Sequence, residues 1–361
     1  MIILFQLGHP AHFHLFRNTI ENLSRDGHQT YILIKKKDIL EDLLKEAGLP
    51  YVNILPSGKK TKFSLMLRLW RVFCFTLRHR VDVLVGSTPE VAQIGWLLRR
   101  RSMIMAEDDA AVVPQFIKAV KPFADAYLSP ITCDNGVLEP KTTHYAGFHK
   151  LAYLHPNQFI PNPTVVDRYF PHQEPYFLLR FAQLNAYHDV SAHAKGFDKE
   201  IAQGLIERLL PYGKVFITSE RPLEPELEQY RLNINPLDIH HVMYFAKLYI
   251  GDSQSMAVEA AMLGTPSLRF NDFAGKIGVL EELEHKYELT YAIPSIDPQR
   301  LYAKVDALLA LPNLREVFQQ RRQKMLSEKI DVTAFYTWFI ENYPESQKTM
   351  QENPDYQYRF K

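Results

Sequence analysis

Short apolar runs alternate with helical patterns along most of this sequence, and no other feature restricts the fold as much. Ile2 to Leu7 and Gln29 to Ile34 have the pattern of buried strands, and a helical pattern from about His14 to Arg25 separates them. Further strands are predicted at Val81 to Val85 and at Ser102 to Ala106. Strands joined through a helix pair in parallel, so the pattern predicts an α/β chain with doubly wound parallel sheets.

Proline breaks this alternation in the middle of the chain. Five prolines lie within residues 156–175, a stretch without a clean hydrophobic period. The alternation resumes at Tyr176, and the end from Pro298 to Tyr343 is helical. We therefore predict an N-terminal Rossmann-like domain over residues 1–160, a linker over 161–175, a second Rossmann-like domain with C-terminal helices over 176–343, and a frayed polar tail over 344–361.

Composition limits the class of protein. Of 361 residues, 42 are Lys or Arg and 41 are Asp or Glu, and this balance argues against nucleic acid as a partner. Two cysteines, Cys74 and Cys133, are too few for a disulfide framework and indicate a reducing compartment. No apolar run is long enough to span a bilayer, and the start has no basic leader. We expect a cytoplasmic enzyme.

The segment from Ile250 to Pro266 has the order strand, tight turn, helix, glycine stop at Gly264 and strand. Gly251 allows the turn, and the free N–H groups at the start of the helix, together with the helix dipole, suit an anion such as phosphate. These groups belong to or adjoin three residues: Ser253, Gln254 and Ser255. Glu259 lies on the same helix face as Ser255, where its carboxylate can accept from a ribose diol. Alternatively, Asp252 or Ser253 only caps the helix, and Glu259 is a structural acid.

This segment resembles the nucleotide-diphosphate site of GT-B enzymes, which include UDP-sugar glycosyltransferases and non-hydrolysing UDP-N-acetylglucosamine 2-epimerases. More closely, the chain resembles an uncharacterised family of bacterial and archaeal GT-B-like proteins in three stretches: Gly8 to His12, Ile217 to Pro222, and Gly251 to Pro266 followed by Arg269. The resemblance covers most of residues 1–340. It implies a GT-B-like fold with two Rossmann-type doubly wound domains facing a central cleft.

The resemblance also implies roles for single residues. The turn at 253–255 would hold the diphosphate, and Glu259 would hold the ribose. His240 or His241, in the segment before the diphosphate strand, would contact the base or the ribose. The C-terminal helix, which includes Phe335, Trp338 and Phe339, would cross back onto the first domain.

Candidate catalytic residues follow strands of the first half, where ligands of parallel sheets bind. His9 and His12 come after the first strand, and either could act as a general base or donate to a phosphate or departing group. His14 more simply packs. A zinc site on these histidines has no usual spacing and no fourth ligand, so we expect no metal.

Three adjacent acids follow another predicted strand of the first half: Glu107, Asp108 and Asp109. One of them could be a catalytic base with a raised pKa, or all three could cap a helix or remain solvated. In the second half Arg180, Arg221 and Arg269 lie at strand ends. Arginine there suits a diphosphate through bidentate bonds, although a lone arginine is more often part of a surface ion pair.

The segment from Lys59 to Arg80 is basic and apolar and holds no acid. On a helix, Ser64, Arg68, Arg71 and Arg78 share one narrow stripe, and the remaining circumference is largely apolar. The segment either binds anionic membrane at the inner face of the plasma membrane, or covers one face of the first sheet with its arginine stripe in water.

Taken with the resemblance, these features predict transfer of a sugar from a nucleotide diphosphate donor, expected to be a UDP-sugar, to a saccharide or lipid-linked acceptor in cell-envelope polysaccharide synthesis. The nucleotide sugar is substrate, and no cofactor is expected. An epimerase or hydrolase of a nucleotide sugar is the alternative, although Arg180, Asn185 and His188 match the epimerase pattern only loosely. A non-enzymatic protein that binds a nucleotide sugar is the third possible function.

Overall fold

The computed structural model describes residues 1–55, 62–170, 174–182, 197–271 and 277–361. Its strands are β1 (Ile2–Leu7), β2 (Gln29–Lys35), β3 (Val52–Leu55), β4 (Val83–Gly86), β5 (Arg101–Met105), β6 (Ala126–Pro130), β7 (Thr142–Tyr145), β8 (Tyr176–Phe181), β9 (Lys214–Ser219), β10 (Leu248–Gly251), β11 (Ser267–Phe270) and β12 (Thr290–Ile293).

The α-helices are α1 (Pro10–Arg25), α2 (Leu40–Glu46), α3 (Lys62–Arg78), α4 (Pro89–Leu98), α5 (Pro114–Val120), α6 (Leu151–Leu154), α7 (Pro163–Asp167), α8 (Lys199–Leu209), α9 (Ile239–Phe245), α10 (Gln254–Leu263), α11 (Gly278–Glu281), α12 (Pro298–Leu309), α13 (Leu314–Glu328), α14 (Val332–Glu341) and α15 (Glu345–Glu352). Within the described ranges, no helix is both long enough and apolar enough to cross a membrane.

The chain divides into two compact units. Unit 1 comprises Met1–Gln158 and Lys329–Lys361, and unit 2 comprises Phe159–Glu328. The residues predicted as a linker therefore belong to unit 2, where α7 forms because Pro163 begins the helix and the Asn162 side chain accepts from the N–H of Thr164. Residues 171–173 of that segment lie outside the described ranges.

Unit 1 contains a parallel sheet whose described strands have the order β3-β2-β1-β4-β5-β6-β7. Helix α1 begins at Pro10, before the predicted start near His14, because proline suits the first helical position and His9 caps the helix. Strands β3, β6 and β7 are absent from the sequence prediction. They are only four or five residues long, and β7 (TTHY) contains no aliphatic residue that would mark it as buried.

The last residues of the chain complete unit 1. Helix α14 carries Phe335, Trp338 and Phe339 in this unit, and its Asp331 cap accepts from the N–H of Ala334 at 3.1 Å. Residues 344–361, predicted as a frayed polar tail, instead form α15 and a 3-10 helix at Pro354–Phe360. Aromatic contacts explain the difference, because Tyr356 and Phe360 lie 4.9 and 5.3 Å from the Trp338 ring.

Unit 2 contains a second parallel sheet, with its described strands in the order β12-β11-β10-β8-β9. Strand β10 is completely buried at the centre of the sheet, and α10 leaves its carboxyl end. Gly264 ends α10 in a left-handed conformation (φ 70°), as the sequence predicts for a glycine stop. The α/β class and the two parallel sheets of the sequence prediction are confirmed.

Candidate functional site

The turn between β10 and α10 requires glycine at position 251. A Cβ atom added to Gly251 would lie 2.3 Å from the hydroxyl oxygen of Tyr249, whose side chain is fully buried. The backbone can therefore approach this closely only without a side chain. The turn places residues 252–255 at the carboxyl edge of the unit 2 sheet, where ligands of such sheets bind.

Asp252 does not cap α10. Its Oδ1 accepts from the N–H of Ala182 at 2.7 Å, and its carboxylate also accepts from the N–H of Phe197. Burial raises the pKa of Asp252 to about 6, although these bonds and the charge of Arg221 oppose the shift. The side chain thus ties the turn to the end of β8.

The start of α10 has no side-chain cap within the described part of the chain. Ser253 is the N-cap residue, and its side chain makes no capping hydrogen bond. Ser255 is exposed, whereas the Nε2 atom of Gln254 is buried with no hydrogen-bond partner among the described residues. The first N–H groups of a helix carry partial positive charge, so this end of α10 can accept an anion.

Glu259 lies one turn further along α10 and is largely buried, with 10% of its side chain exposed. Its Oε1 is 3.5 Å from Nε2 of His240 in α9. His241 is engaged differently, because its Nδ1 accepts from the N–H of Asn162 at 3.0 Å and its ring packs against Phe159. Of the two histidines, His240 is therefore the one beside Glu259.

The three candidate arginines of unit 2 already have protein partners. Arg180 forms an ion pair with Glu220, and its buried Nε has no partner among the described residues. Arg221 donates to the carbonyl of Phe197 and lies over the Phe181 ring. Arg269 is completely buried and donates to Glu284 at 2.6 Å. Arg180 therefore keeps a donor for a ligand. Nε and Nη1 of Arg269 are likewise buried without a partner among the described residues, whereas the contacts of Arg221 are structural.

In unit 1, backbone N–H groups select the tautomer of the first-loop histidines in their neutral form. The N–H of Ala11 donates to Nδ1 of His9 at 3.2 Å, and the N–H of Gly8 donates to Nδ1 of His12 at 3.0 Å. Burial, and then the neighbouring His9, lower the pKa of His12 well below its usual value. A neutral ring that accepts at Nδ1 carries its proton on Nε2, so both rings offer a donor there.

The three acids after β5 have separate environments. Glu107 accepts from Nζ of Lys150 at 2.8 Å and from the N–H of His149 at 2.6 Å. Burial would raise the pKa of Glu107, but Lys150 and these hydrogen bonds outweigh it and lower that pKa. The predicted raised pKa is therefore wrong for Glu107. Asp108 is exposed, and Asp109 accepts from the N–H of Asp134 at 2.7 Å.

Further polar residues lie at the same edge of unit 1. His149 and Lys150 follow β7, and a buried Thr88 hydroxyl at the start of α4 has no partner among the described residues. Lys35, at the end of β2, approaches Gly8, since a Cβ atom there would lie 3.7 Å from its Nζ. Because ligands of parallel sheets bind beyond the carboxyl ends of strands, His149 and Lys150 would have been candidates if β7 had been recognised. Among the described residues, no group of three or more potential ligands could hold a metal ion.

Helix α3 departs from the predicted arrangement of charge at Arg68, whereas Arg71 and Arg78 are exposed. Arg68 forms a 2.8 Å ion pair with the buried Glu90, and Arg71 donates to the carbonyl of Ile54 at 2.8 Å. The arginine stripe is therefore not simply solvated. Met66 and Trp70 are instead 70% and 62% exposed. Lys59 and Lys60 of the basic segment lie outside the described residues, as do Asn185 and His188.

Comparison with solved structures relates both units to known folds. The S. aureus MnaA–UDP co-structure matches with a TM-score of 0.67 at 11% identity, covering 98% of this chain and 97% of that one. The UDP-GlcNAc 2-epimerase of Methanocaldococcus jannaschii matches with a TM-score of 0.64 at 16% identity, covering 89% of this chain and 99% of that one. Acinetobacter baumannii MurG matches with a TM-score of 0.57 at 12% identity, covering 93% of this chain and 98% of that one.

The chain has a GT-B fold. Its structural neighbours include both glycosyltransferases and UDP-GlcNAc 2-epimerases, as the sequence resemblance implied. No protein-family model and no curated protein sequence matches it. Within the GT-B fold, the turn at Gly251, the start of α10 and Glu259 occupy unit 2, whereas the histidines and Glu107 occupy unit 1.

Proposed function

We propose that this GT-B protein is a glycosyltransferase that uses a nucleotide diphosphate sugar, expected to be a UDP-sugar, as donor. The observation that carries the proposal is the start of α10, where a turn too close to Tyr249 for a Cβ atom leads into a helix end that no described side chain caps. Such an end suits a diphosphate. A buried carboxylate one turn further on suits a ribose diol.

The donor is assigned to unit 2. The N–H groups near Ser253, Gln254 and Ser255 would bind the diphosphate. The Gln254 amide and Nε of Arg180, which have no partner among the described residues, would add donors. During transfer, negative charge grows on the departing diphosphate. Hydrogen-bond donors that are fixed in place stabilise this charge more than they stabilise the intact nucleotide sugar. Glu259 would bind the ribose, with His240 holding its carboxylate in place.

The acceptor is assigned to unit 1. The protein would act in the cytoplasm, at the inner face of the plasma membrane. Helix α3 supports this assignment because Met66 and Trp70 expose apolar surface although the helix is anchored by Arg68 and Arg71. Exposed aromatic and aliphatic side chains on one helix are typical of an interfacial contact with lipid. A lipid-linked acceptor of envelope polysaccharide synthesis would be met there.

A thermal-shift panel with UDP, GDP, CDP, dTDP, ADP and their sugar conjugates tests the donor site. A ligand at one hundred times its Kd adds about 2.7 kcal/mol to the free energy of unfolding. We expect one nucleotide to stabilise the wild type and to lose this effect in Glu259→Ala, but not in the control Glu226→Ala, whose carboxylate pairs with Lys199 at the surface. Stabilisation that survives in Glu259→Ala would contradict the site.

Epimerisation or hydrolysis of a nucleotide sugar is the second candidate, because the UDP-GlcNAc 2-epimerase of Methanocaldococcus jannaschii matches with a higher TM-score than MurG does. Products formed from the stabilising nucleotide sugar, with and without a saccharide acceptor, separate these activities. A new glycoside supports transfer, and an epimeric sugar without acceptor supports epimerisation. Binding without any product would favour a nucleotide-sugar binding protein.

A further inference from the structure

Positive charge converges on His12 in unit 1. Burial lowers the pKa of His12 first, and four basic side chains then lower it further. These are His9, His149, Lys35 and Lys37. Glu107 lies at the same edge of the sheet, but its carboxylate is engaged with Lys150 at 2.8 Å. A surface lined by one sign of charge concentrates ions of the opposite sign, so this edge attracts an anion.

Lys35 lies where three neighbouring strands end. A Cβ atom added to Gly8, after β1, would be 3.7 Å from Nζ of Lys35 at the end of β2 and 3.2 Å from Cγ2 of Thr88 after β4. The order β2-β1-β4 makes these strands adjacent in the sheet. The Lys35 side chain is partly exposed, so its ammonium group is within reach of a ligand at the carboxyl edge, where parallel sheets bind ligands.

The two first-loop histidines add hydrogen-bond donors to this charge. Nδ1 of His9 accepts from the N–H of Ala11, and Nδ1 of His12 accepts from the N–H of Gly8, so each neutral ring carries its proton on Nε2. The ring centroids lie 6.2 Å apart, and both residues are partly exposed. Two N–H donors beside a lysine suit a ligand group that has several oxygens and a negative charge.

Helix α4 begins beside the same glycine and adds to the positive potential. Its N-cap residue, Thr88, makes no side-chain capping bond, so the first turn keeps the partial positive charge of a helix start. The acid of that turn, Glu90, is buried and pairs with Arg68 at 2.8 Å. Its charge is therefore already balanced within the fold.

We propose that this edge of unit 1 binds an oxyanion, a phosphate or carboxylate group, through Nζ of Lys35 and the Nε2 atoms of His9 and His12. Lys37 adds charge, since its pair with Asp38 at 3.9 Å is exposed and weak. All of these residues belong to unit 1, whereas the proposed diphosphate site belongs to unit 2. The oxyanion site does not depend on the proposed function. The source of the oxyanion rests on it, because in a transferase whose acceptor binds unit 1 the group belongs to the acceptor, which is then an anionic molecule.

Inorganic phosphate is the first probe of the site. It is titrated into the protein at constant ionic strength, and the NMR signals of the His12 ring, assigned with His12→Asn, are followed. We expect a saturable change in these signals and a rise in the pKa of His12, because a bound anion favours the charged imidazolium. No saturable response of His12 would overturn the site.

Substitutions of neighbouring lysines test the contacts. Lys35→Gln should raise the Kd for phosphate by roughly tenfold, since it removes a charge-assisted hydrogen bond, whereas Lys35→Arg should keep most of the affinity. Lys36→Gln is the matched control, because Lys36 is exposed and adjoins Lys35 in sequence. Thermal midpoints verify that each variant is folded. Equal Kd values for the wild type and a folded Lys35→Gln would overturn the proposal.

Phosphate also suits the start of α10, so the two sites have to be separated. The titration is repeated with the stabilising nucleotide at saturation, and we expect the response of His12 to persist. Loss of the response would overturn an oxyanion site that belongs to unit 1. A response of His12 in a protein that no nucleotide stabilises would support this site and count against the proposed function alone.

Three probes distinguish the sources of the oxyanion. Citronellyl phosphate represents a lipid-linked phosphate, glucuronate represents an acidic saccharide, and inorganic phosphate represents the free ion. We expect one of the two organic anions to bind roughly tenfold more tightly than inorganic phosphate, because the rest of an acceptor adds contacts. If inorganic phosphate binds most tightly, the assignment of the oxyanion to the acceptor is overturned.

Discussion

At the scale of single residues, roles depend on which atom already has a partner. The sequence places His9, His12 and Glu107 at strand ends, and the structure confirms those positions. It could not predict that backbone N–H groups occupy Nδ1 of both histidines, because these bonds depend on the exact path of the first loop. The lowered pKa of Glu107 depends likewise on Lys150, which is 43 residues away in sequence.

Asp252 makes stability depend on pH. Its pKa is raised by burial to about 6 from 3.8, so the folded state holds a proton between these values that the unfolded chain releases. This contribution is fully present below about pH 4 and is lost as pH rises through 6, a loss of about 3 kcal/mol in the free energy of unfolding. We expect Asp252→Asn to remove this slope in urea unfolding from pH 4 to pH 7.

The control for this prediction is Asp306→Asn, whose carboxylate is largely exposed and lies 3.8 Å from Arg208. It should leave the slope unchanged. If Asp252→Asn unfolds with the pH dependence of the wild type, the carboxylate is not the group that titrates.

At the scale of elements, segments that are apolar and bounded by glycine were predictable, whereas short strands of mixed polarity were not. Helix α10 and its glycine stop appear where the sequence predicts them, because Gly251 and Gly264 mark both ends. Strands β6 and β7 have mixed polarity over a few residues, and their burial comes from neighbouring strands rather than from their own pattern. His149 was missed for that reason alone.

Helix α3 shows how a partner on another element changes the meaning of a pattern. The helical stripe of arginines suggests a solvated face, but Glu90 at the start of α4 draws Arg68 inward. The helix is then held by its cations, and Met66 and Trp70 face outward. Sequence periodicity identifies such a stripe, whereas the buried acid that pairs with it is visible only in the fold.

A membrane role for α3 predicts a specific loss. Replacing Met66 and Trp70 together by serine should reduce sedimentation with anionic phosphatidylglycerol liposomes by roughly tenfold or more, since each buried apolar side chain contributes about 1.5–3 kcal/mol. Ile296→Ser is the control, because Ile296 is 90% exposed but lies in unit 2. Equal sedimentation of all three proteins would exclude α3 as the contact.

At the scale of the whole molecule, unit 1 is built from two distant pieces of chain. Arg101 of β5 donates to the carbonyl of Tyr343 at 2.6 Å, and the Gln357 side chain accepts from the N–H of Ala146. The family resemblance implied that α14 crosses back, but the domain boundaries predicted from sequence placed it in the second domain and residues 344–361 in a tail. The polar composition of that segment gave no sign that the rings of Tyr356 and Phe360 pack against Trp338.

Removal of residues 354–361 should therefore destabilise unit 1 and spare unit 2. We expect a loss of roughly 3 kcal/mol in the free energy of unfolding of unit 1, from the burial of two aromatic rings, with an unchanged Kd for the stabilising nucleotide. Unfolding followed by tryptophan fluorescence reports on unit 1, because Trp70, Trp96 and Trp338 all lie there. Tyr358→Ala, a change at an exposed ring, is the control. Full stability of the shortened chain would contradict an anchoring role.

The divided architecture of unit 1 has a consequence for biosynthesis. Residues 1–158 emerge from the ribosome long before residues 329–361. The N-terminal sheet therefore lacks its last helices until the whole of unit 2 has been translated. Unit 2 is continuous in sequence and can complete its folding first, since domains generally fold as units during synthesis. The first half of the protein to be made is thus the last to be finished.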